Sequence, residues 1–304
     1  MDPVIEIRDF SKTYGDFVAV NRISLDVMPG EIFGLLGPNG AGKTSTLECL
    51  EGLRAPSCGS LRVAGLDPAR DFKKLKNIIG VQLQSSGMPE AITPVEAMKF
   101  FCAYHAVSPR IDLLDRLALN EKRDTAFYEL SAGQQRRLVL ALAAAHKPQI
   151  LFLDEPTAGL DVASRVELHD LMRELQAGGT TIILATHDMA EADEMSDRVA
   201  ILLGGNIATV GTPMEITAAG AGLTKISVHT QNSCISDPNL TFPAVDRCVV
   251  KDEYMIYYSH DIGPTLTAII EFIHLQADTL IDLRVERPSL EDRFLEITGK
   301  GTIP

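Results

Sequence analysis

Residues 37–44 read Gly-Pro-Asn-Gly-Ala-Gly-Lys-Thr, a run of the form G-x-x-x-x-G-K-[ST]. The apolar run Ile32-Phe33-Gly34-Leu35-Leu36 leads into it, and a helix-compatible run from Thr44 to Leu53 leads out. A strand, a glycine-rich turn and a helix start, in that order, define a phosphate-binding loop and commit the chain to a sheet flanked by helices. Glycine lets the backbone curl so that successive N–H groups point into one concavity. The helix N-terminus adds its dipole there. Lys43 is placed to reach the outer phosphates of a nucleotide, and the Thr44 hydroxyl to ligate Mg²⁺. The candidate phosphate contacts are Gly37, Pro38, Asn39, Gly40, Ala41, Gly42, Lys43, Thr44 and the adjoining Ser45.

The rest of the chain supports an α/β fold. Gln149 to Leu153 and Thr180 to Ala185 are compact apolar runs bounded by turns, as buried parallel strands are. A helical stretch, Val162 to Ala177, joins them into a β-α-β unit. Shorter strands are expected over Val4 to Phe10, Ile23 to Val27, Ser60 to Val63 and Ile78 to Leu83. Thr93-Pro94-Val95-Glu96 is a helix start with a cap, a proline at the first position and a closing glutamate, and the helix should run to about Tyr104. Residues 90–128 read as mostly helical. The texture changes near residue 220, where 217–222 read as a linker. Strands over Lys225–Thr230, Tyr254–Tyr258 and Thr279–Glu286 follow, with helices over Pro264–Leu275 and Ser289–Thr298. The expected organisation is a nucleotide-binding domain over 1–220, with a helical subdomain over about 86–146, and a small α/β accessory domain over 225–304.

Composition narrows the classes. The net charge of −13 argues against general nucleic-acid binding. Five cysteines, an odd number with no C-x-x-C pair, fit reduced thiols in the cytoplasm. Asp2, Glu6, Arg8 and Asp9 interrupt any leader-like start, and no run approaches the length of uncharged apolar residues that spans a bilayer.

Four further motifs follow in order. Leu130-Ser131-Ala132-Gly133-Gln134 precedes a helix over Gln135 to Ala145, a second helix start suited to an anion. Ile150-Leu151-Phe152-Leu153-Asp154-Glu155 ends a strand in two carboxylates. Asp154 is suited to hold Mg²⁺ through water, and Glu155 to orient or deprotonate an attacking water. Ala158-Gly159-Leu160-Asp161 comes next, and then His187 at the end of the second buried strand, the crevice where open sheets bind ligands.

With the phosphate loop, these motifs resemble the nucleotide-binding subunits of ATP-binding cassette (ABC) transporters over residues 4 to about 215. Ala132 stands where that family usually has glycine, a change that a positive φ would penalise. The resemblance implies a P-loop NTPase fold of the ABC type, with ATP and Mg²⁺ as cofactors. It implies that Ser131 and Gly133 act at the nucleotide of a second subunit, that Gln134 and Asp161, the latter in the D-loop, also belong to the nucleotide-binding set, and that His187 contacts the γ-phosphate. It places Gln84, rather than Gln82, in the loop that links Mg²⁺ to the helical region, and Tyr14 against adenine. The catalytic set is then Lys43, Gln84, Glu155 and His187, and the metal set Thr44, Gln84 and Asp154.

The resemblance further implies a head-to-tail homodimer at the cytoplasmic face of a membrane, driving a separate transmembrane permease. A helical groove around Met88 and Ile92 would receive that permease. The tail Glu286-Arg287-Pro288-Ser289-Leu290-Glu291-Asp292-Arg293-Phe294-Leu295 is similar to the ends of exporter subunits for drugs, antibiotics and polysaccharides. A soluble ABC ATPase acting on ribosomes or DNA would usually carry two cassettes or a long coiled coil. A regulatory ATP-binding module would not need the intact Lys43, Asp154, Glu155 and His187 set.

Overall fold

The computed structural model describes residues 2–83, 87–219, 223–235, 237 and 240–298. The chain divides into two compact units, Met1–Pro213 and Met214–Pro304.

The first unit runs β1 (Ile5–Tyr14), β2 (Phe17–Val27), β3 (Ile32–Leu36), α1 (Lys43–Leu50), β4 (Cys58–Val63), α2 (Phe72–Leu75), β5 (Ile79–Gln82), α3 (Pro94–Tyr104) and α4 (Ile111–Arg116). It continues with α5 (Ala132–Ala144), β6 (Ile150–Asp154), α6 (Val162–Ala177), β7 (Thr181–Thr186), α7 (Met189–Met195), β8 (Arg198–Leu203) and β9 (Asn206–Gly211). One sheet has the order β5-β6-β7-β3-β8-β9 and is parallel except for the β8–β9 pair. A second, antiparallel sheet has the order β2-β1-β4.

Period-two alternation in the central strands builds two cores. Phe33, Leu35, Ile150, Phe152, Ile183 and Ala185 face β1, β2, β4 and α1. Ile32, Leu151, Leu153, Ile182 and Leu184 face the helical side, with Ala97 and Met98 of α3 and Leu138, Leu140, Ala141 and Leu142 of α5. Every residue of β3, β6 and β7 is buried, which explains why they read as unbroken apolar runs. Each large apolar side chain so buried contributes roughly 1.5–3 kcal/mol, and together they fix the strand ends from which the functional loops spring.

Local signals act as the sequence suggests. Thr93 accepts from the Glu96 amide, Glu96 accepts from the Thr93 amide, and Pro94 opens α3. α6 covers the expected range, with Asp161 as its cap. Residues 90–128 are less regular than expected: α3 and α4 are followed by two short 3₁₀ turns, Asn120–Lys122 and Phe127–Glu129.

The second unit opens with α8 (Pro213–Ala218), so Thr217 and Ala218 end a helix rather than begin a linker. Then come β10 (Thr224–Thr230), β11 (Val245–Lys251), β12 (Tyr254–Ser259), α9 (Ile262–Leu275), β13 (Leu280–Glu286) and α10 (Leu290–Ile297). The antiparallel sheet β11-β12-β10-β13 packs Ile226, Val228, Met255 and Tyr257 against Ile269 and Ile273 of α9.

Candidate functional site

Residues 37–42 leave β3 and turn into α1. The turn needs its glycines for contact as well as for dihedral freedom. A Cβ on Gly37 would stand 2.4 Å from the Leu202 carbonyl oxygen. Gly42, the residue before α1, has φ of 102° and leaves room for a Cβ only 2.5 Å from the Ala19 carbonyl oxygen. The loop is thus pressed between β8 and β2. No side chain caps α1, so its first amides face the loop's concavity without a rival acceptor from a cap.

The chemistry gathers at the ends of the central strands. Lys43 Nζ is buried, donates to the carbonyls of Gly37 (2.7 Å) and Pro38 (3.2 Å), and lies 3.8 Å from Glu155 Oε1. Burial pushes its pKa down, with Glu155 and then Asp154 opposing that shift. Thr44 Oγ1 donates to Asp154 Oδ2 at 2.8 Å. Burial raises the Asp154 pKa, while the Thr44 bond lowers it. Asp154 Oδ1 is buried without a hydrogen-bond partner among the described residues. A hydroxyl and a carboxylate held together with an orphaned oxygen form a donor set that suits a hard divalent cation such as Mg²⁺.

Glu155 continues the strand ladder through its amide to the Ala185 carbonyl, and its side chain reaches His187 Nδ1 at 2.9 Å. Its φ of 49° lies in the left-handed region, unfavourable for a residue with a Cβ. Its carbonyl accepts from Arg136 Nη1 of α5 at 2.7 Å. His187 is half exposed, so one side of its ring faces outward while the other is held by Glu155.

A cavity of about 240 Å³ opens over the loop, lined by Tyr14, Phe17, Ala19, Asn39 to Ser45 and Glu155. Tyr14 Oη is 3.3 Å from Ser45 Oγ, and Lys12 and Arg54 lie over its ring at 5.1 and 5.4 Å. Phe17, at the same mouth, is 62 % exposed and was not singled out from the sequence. An exposed aromatic just after Gly15 and Asp16 was the available signal. Arg136 was also passed over; its position one turn into α5 is a signal only once β6 is known to lie alongside.

Other site residues lie elsewhere. Ser131 caps α5: its Oγ accepts from the Gln134 amide (3.2 Å), and Gln134 Oε1 accepts from the Ser131 amide (2.9 Å). Ala132 opens the helix and is not among the residues with positive φ, so alanine there carries no backbone penalty. A Cβ on Gly133 would approach Ser164 Oγ to 3.3 Å, a close packing against α6. Asp161 Oδ1 and Oδ2 are engaged by the amide and hydroxyl of Ser164, which hold its pKa low. Ser131, Gly133, Gln134 and Asp161 do not line the phosphate-loop cavity of their own chain. Gln84 lies outside the described residues. Gln82 is buried on β5, with neither amide atom hydrogen-bonded among the described residues.

This fold and loop define a P-loop NTPase of the cassette type. The model of the ABC transporter family matches residues 20–158. The Nod factor export ATP-binding protein I of Paraburkholderia xenovorans is 34 % identical over 98 % of this chain and 98 % of its own. The chain therefore belongs to the ABC transporter ATP-binding family and is an ATPase. Among solved structures, cbiO1 from Clostridium perfringens, part of the ABC transporter complex cbiONQ, is 28 % identical. It has a TM-score of 0.64 over 72 % of this chain and 92 % of its own. A bacterial ABC transporter cassette solved as a dimer is 26 % identical, with a TM-score of 0.63 over 68 % of this chain and 98 % of its own. Among the described residues no helix is long and apolar enough to cross a membrane.

Proposed function

We propose that this chain is the ATP-hydrolysing subunit of an exporter and works as a head-to-tail pair of copies coupled to a separate membrane subunit. The observation that carries the reading is the cluster Lys43, Thr44, Asp154, Glu155 and His187 at the strand ends, while Ser131, at the second helix start, does not line the cavity over the phosphate loop. Lys43 and the loop amides bind the phosphates. Thr44 and Asp154 would hold Mg²⁺, which offsets phosphate charge when bound. Glu155 accepts a proton from the attacking water, and His187 keeps that carboxylate aimed. Ser131 and Gly133 of one copy close the other copy's site, so two equal sites lie about a twofold axis. Tyr14 and Phe17 flank the base. The likeness to an export protein supports the direction of transport.

Glu155→Gln tests the chemistry. It should retain ATP binding, lose about 10²–10⁴-fold in turnover, and accumulate as an ATP-bound dimer in size-exclusion chromatography. Turnover near that of the native chain would remove Glu155 from the reaction.

A mostly apolar cavity of about 380 Å³ is lined in part by Leu83, Met88, Phe101, Tyr104, Val139 and Leu142. Ile92, expected beside Met88, does not line it and packs half-buried against the helical core instead. We place a short apolar helix of the membrane subunit in this cavity. Leu83→Glu with Met88→Glu should leave ATP turnover intact and abolish co-purification with that subunit. Full-yield co-purification would move the docking surface elsewhere.

A further inference from the structure

α6 and the segment around α7 are joined by a ladder of polar contacts. Arg165, His169, Arg173 and Gln176 follow one side of α6. Facing them are Asp188, Glu191, Glu194 and Asp197. Arg165 Nη1 lies 3.6 Å from Asp188 Oδ2, Arg173 Nη2 donates to Glu194 Oε1 at 2.8 Å, and Gln176 Nε2 donates to Asp197 Oδ2 at 2.6 Å. These outer rungs are exposed or half exposed, and contacts of that kind contribute little each.

The inner rung differs. The Glu191 side chain has no solvent exposure, and that of His169 has 4 %. His169 Nε2 sits 3.2 Å from Glu191 Oε1. The same oxygen accepts a 2.6 Å hydrogen bond from the buried hydroxyl of Thr157. The other oxygen, Oε2, is buried with no hydrogen-bond partner among the described residues. A fully buried carboxylate whose donors all converge on one oxygen is costly, so its presence here asks for a reason.

Its position is informative. Thr157 lies in the loop that starts at Glu155 and ends at Asp161, the cap of α6. Glu191 lies one turn after His187, on the helix that Asp188 caps through the amides of Ala190 and Glu191. One carboxylate therefore binds the loop carrying Glu155 to the helix start carrying His187. The two functional side chains meet at 2.9 Å on the other side of that link. We infer that Glu191 is a positioning residue for ATP hydrolysis: it latches the His187 segment onto the 155–161 loop, and Thr157 is the donor that closes the latch. The inference rests on the reading that His187 acts at the nucleotide site.

The experiment is a double-mutant cycle on steady-state ATP turnover. Glu191→Gln keeps the shape but cannot accept both donors on one anionic oxygen. It should lower kcat about tenfold or more, as misplacement of a catalytic group does, while KM for ATP stays within about twofold. In a His187→Ala background the same change should cost almost nothing further, because the group it positions is gone. An equal loss in both backgrounds, or no loss in the native one, overturns the inference. His187→Ala with native turnover would instead overturn the role of His187, a distinguishable result. Should Glu191→Gln fail to fold, Thr157→Val and Thr157→Ser decide. Valine should reproduce the kcat loss and serine, which keeps the hydroxyl, should restore turnover. Native kcat in Thr157→Val overturns the latch.

Discussion

The two helix starts proposed to meet phosphate in this chain are built in opposite ways. α1 begins at Gly42 with no side-chain cap and with Lys43 buried beneath the loop. α5 begins at Ser131 with a complete capping box, exposed at Ser131 and Ala132 and half-buried from Gly133 to Gln135. An uncapped start has amides with no rival acceptor, which suits it to receive an anion as a finished cradle. The capped start is already satisfied within its own chain. The Ser131 hydroxyl, which accepts from Gln134, still has its proton to donate outward. A cradle and a lid on one chain, with the lid residues absent from that chain's cavity, make sense when each copy completes the other.

The sharpest way to break this comparison is complementation. Lys43→Ala should lose ATP affinity, and Ser131→Arg should block a neighbour's site, so each variant alone should be nearly inactive. Mixed chains contain dimers with one site built from an intact Lys43 and an intact Ser131, and turnover should reappear. A mixture no more active than its parts would mean that cradle and lid belong to one chain.

A smaller effect separates the two starts by pH. Glu51, at the far end of α1, is 2 % exposed, and burial, reinforced by Asp154 and Glu48, pushes its pKa up to about 8. Its folded pKa lies above the unfolded value, so the folded chain holds a proton that the unfolded chain releases. The associated stability is present below the unfolded value near 4.5 and is lost as pH rises through about 8. One pKa unit is about 1.4 kcal/mol, so Glu51→Gln should gain up to a few kcal/mol over the native chain at pH 8 and little at pH 4.5. Parallel urea denaturation curves at both pH values would refute the buried-acid account. The smallest effect belongs to the lid. Ser131→Ala removes the cap and should cost about 1 kcal/mol, equally at both pH values. A pH-dependent cost there would show that the lid is not an ordinary capped helix.

What could be read in advance follows from the range of the interaction. The boundaries of α3 and α6 were legible because caps, proline and periodicity act within a few residues. The cradle was legible because its glycines, Lys43 and Thr44 are contiguous. β8, β9 and β11 were not identified: β9 and β11 are mostly exposed or half-buried and lack a strong apolar alternation, whereas β8 is a buried apolar run that was left unassigned. β1 and β2 extend past their apolar parts because pairing of the two strands carries them to Tyr14 and Phe17. Asp154, Glu155 and His187 could each be named from the strand end that carries it. The 2.9 Å contact between Glu155 and His187 could not, because it depends on the register of β6 against β7. Arg136 escaped because its bond to the Glu155 carbonyl joins α5 to the end of β6, whereas Phe17 stood in reach of a local signal, the Gly15-Asp16 turn, that was not used.

The backbone of Glu155 carries one more consequence. At φ of 49° a side chain with a Cβ sits in territory that glycine occupies freely, at a cost of roughly 1–2 kcal/mol. Selection on folding alone would drift this position toward glycine, asparagine or aspartate. The proposed role of Glu155 in water activation would account for a glutamate there, since it needs a long carboxylate at the end of β6 whatever the conformational preference of that residue type. On that proposal the position is a compromise between a chain that is easy to fold and one that turns over ATP.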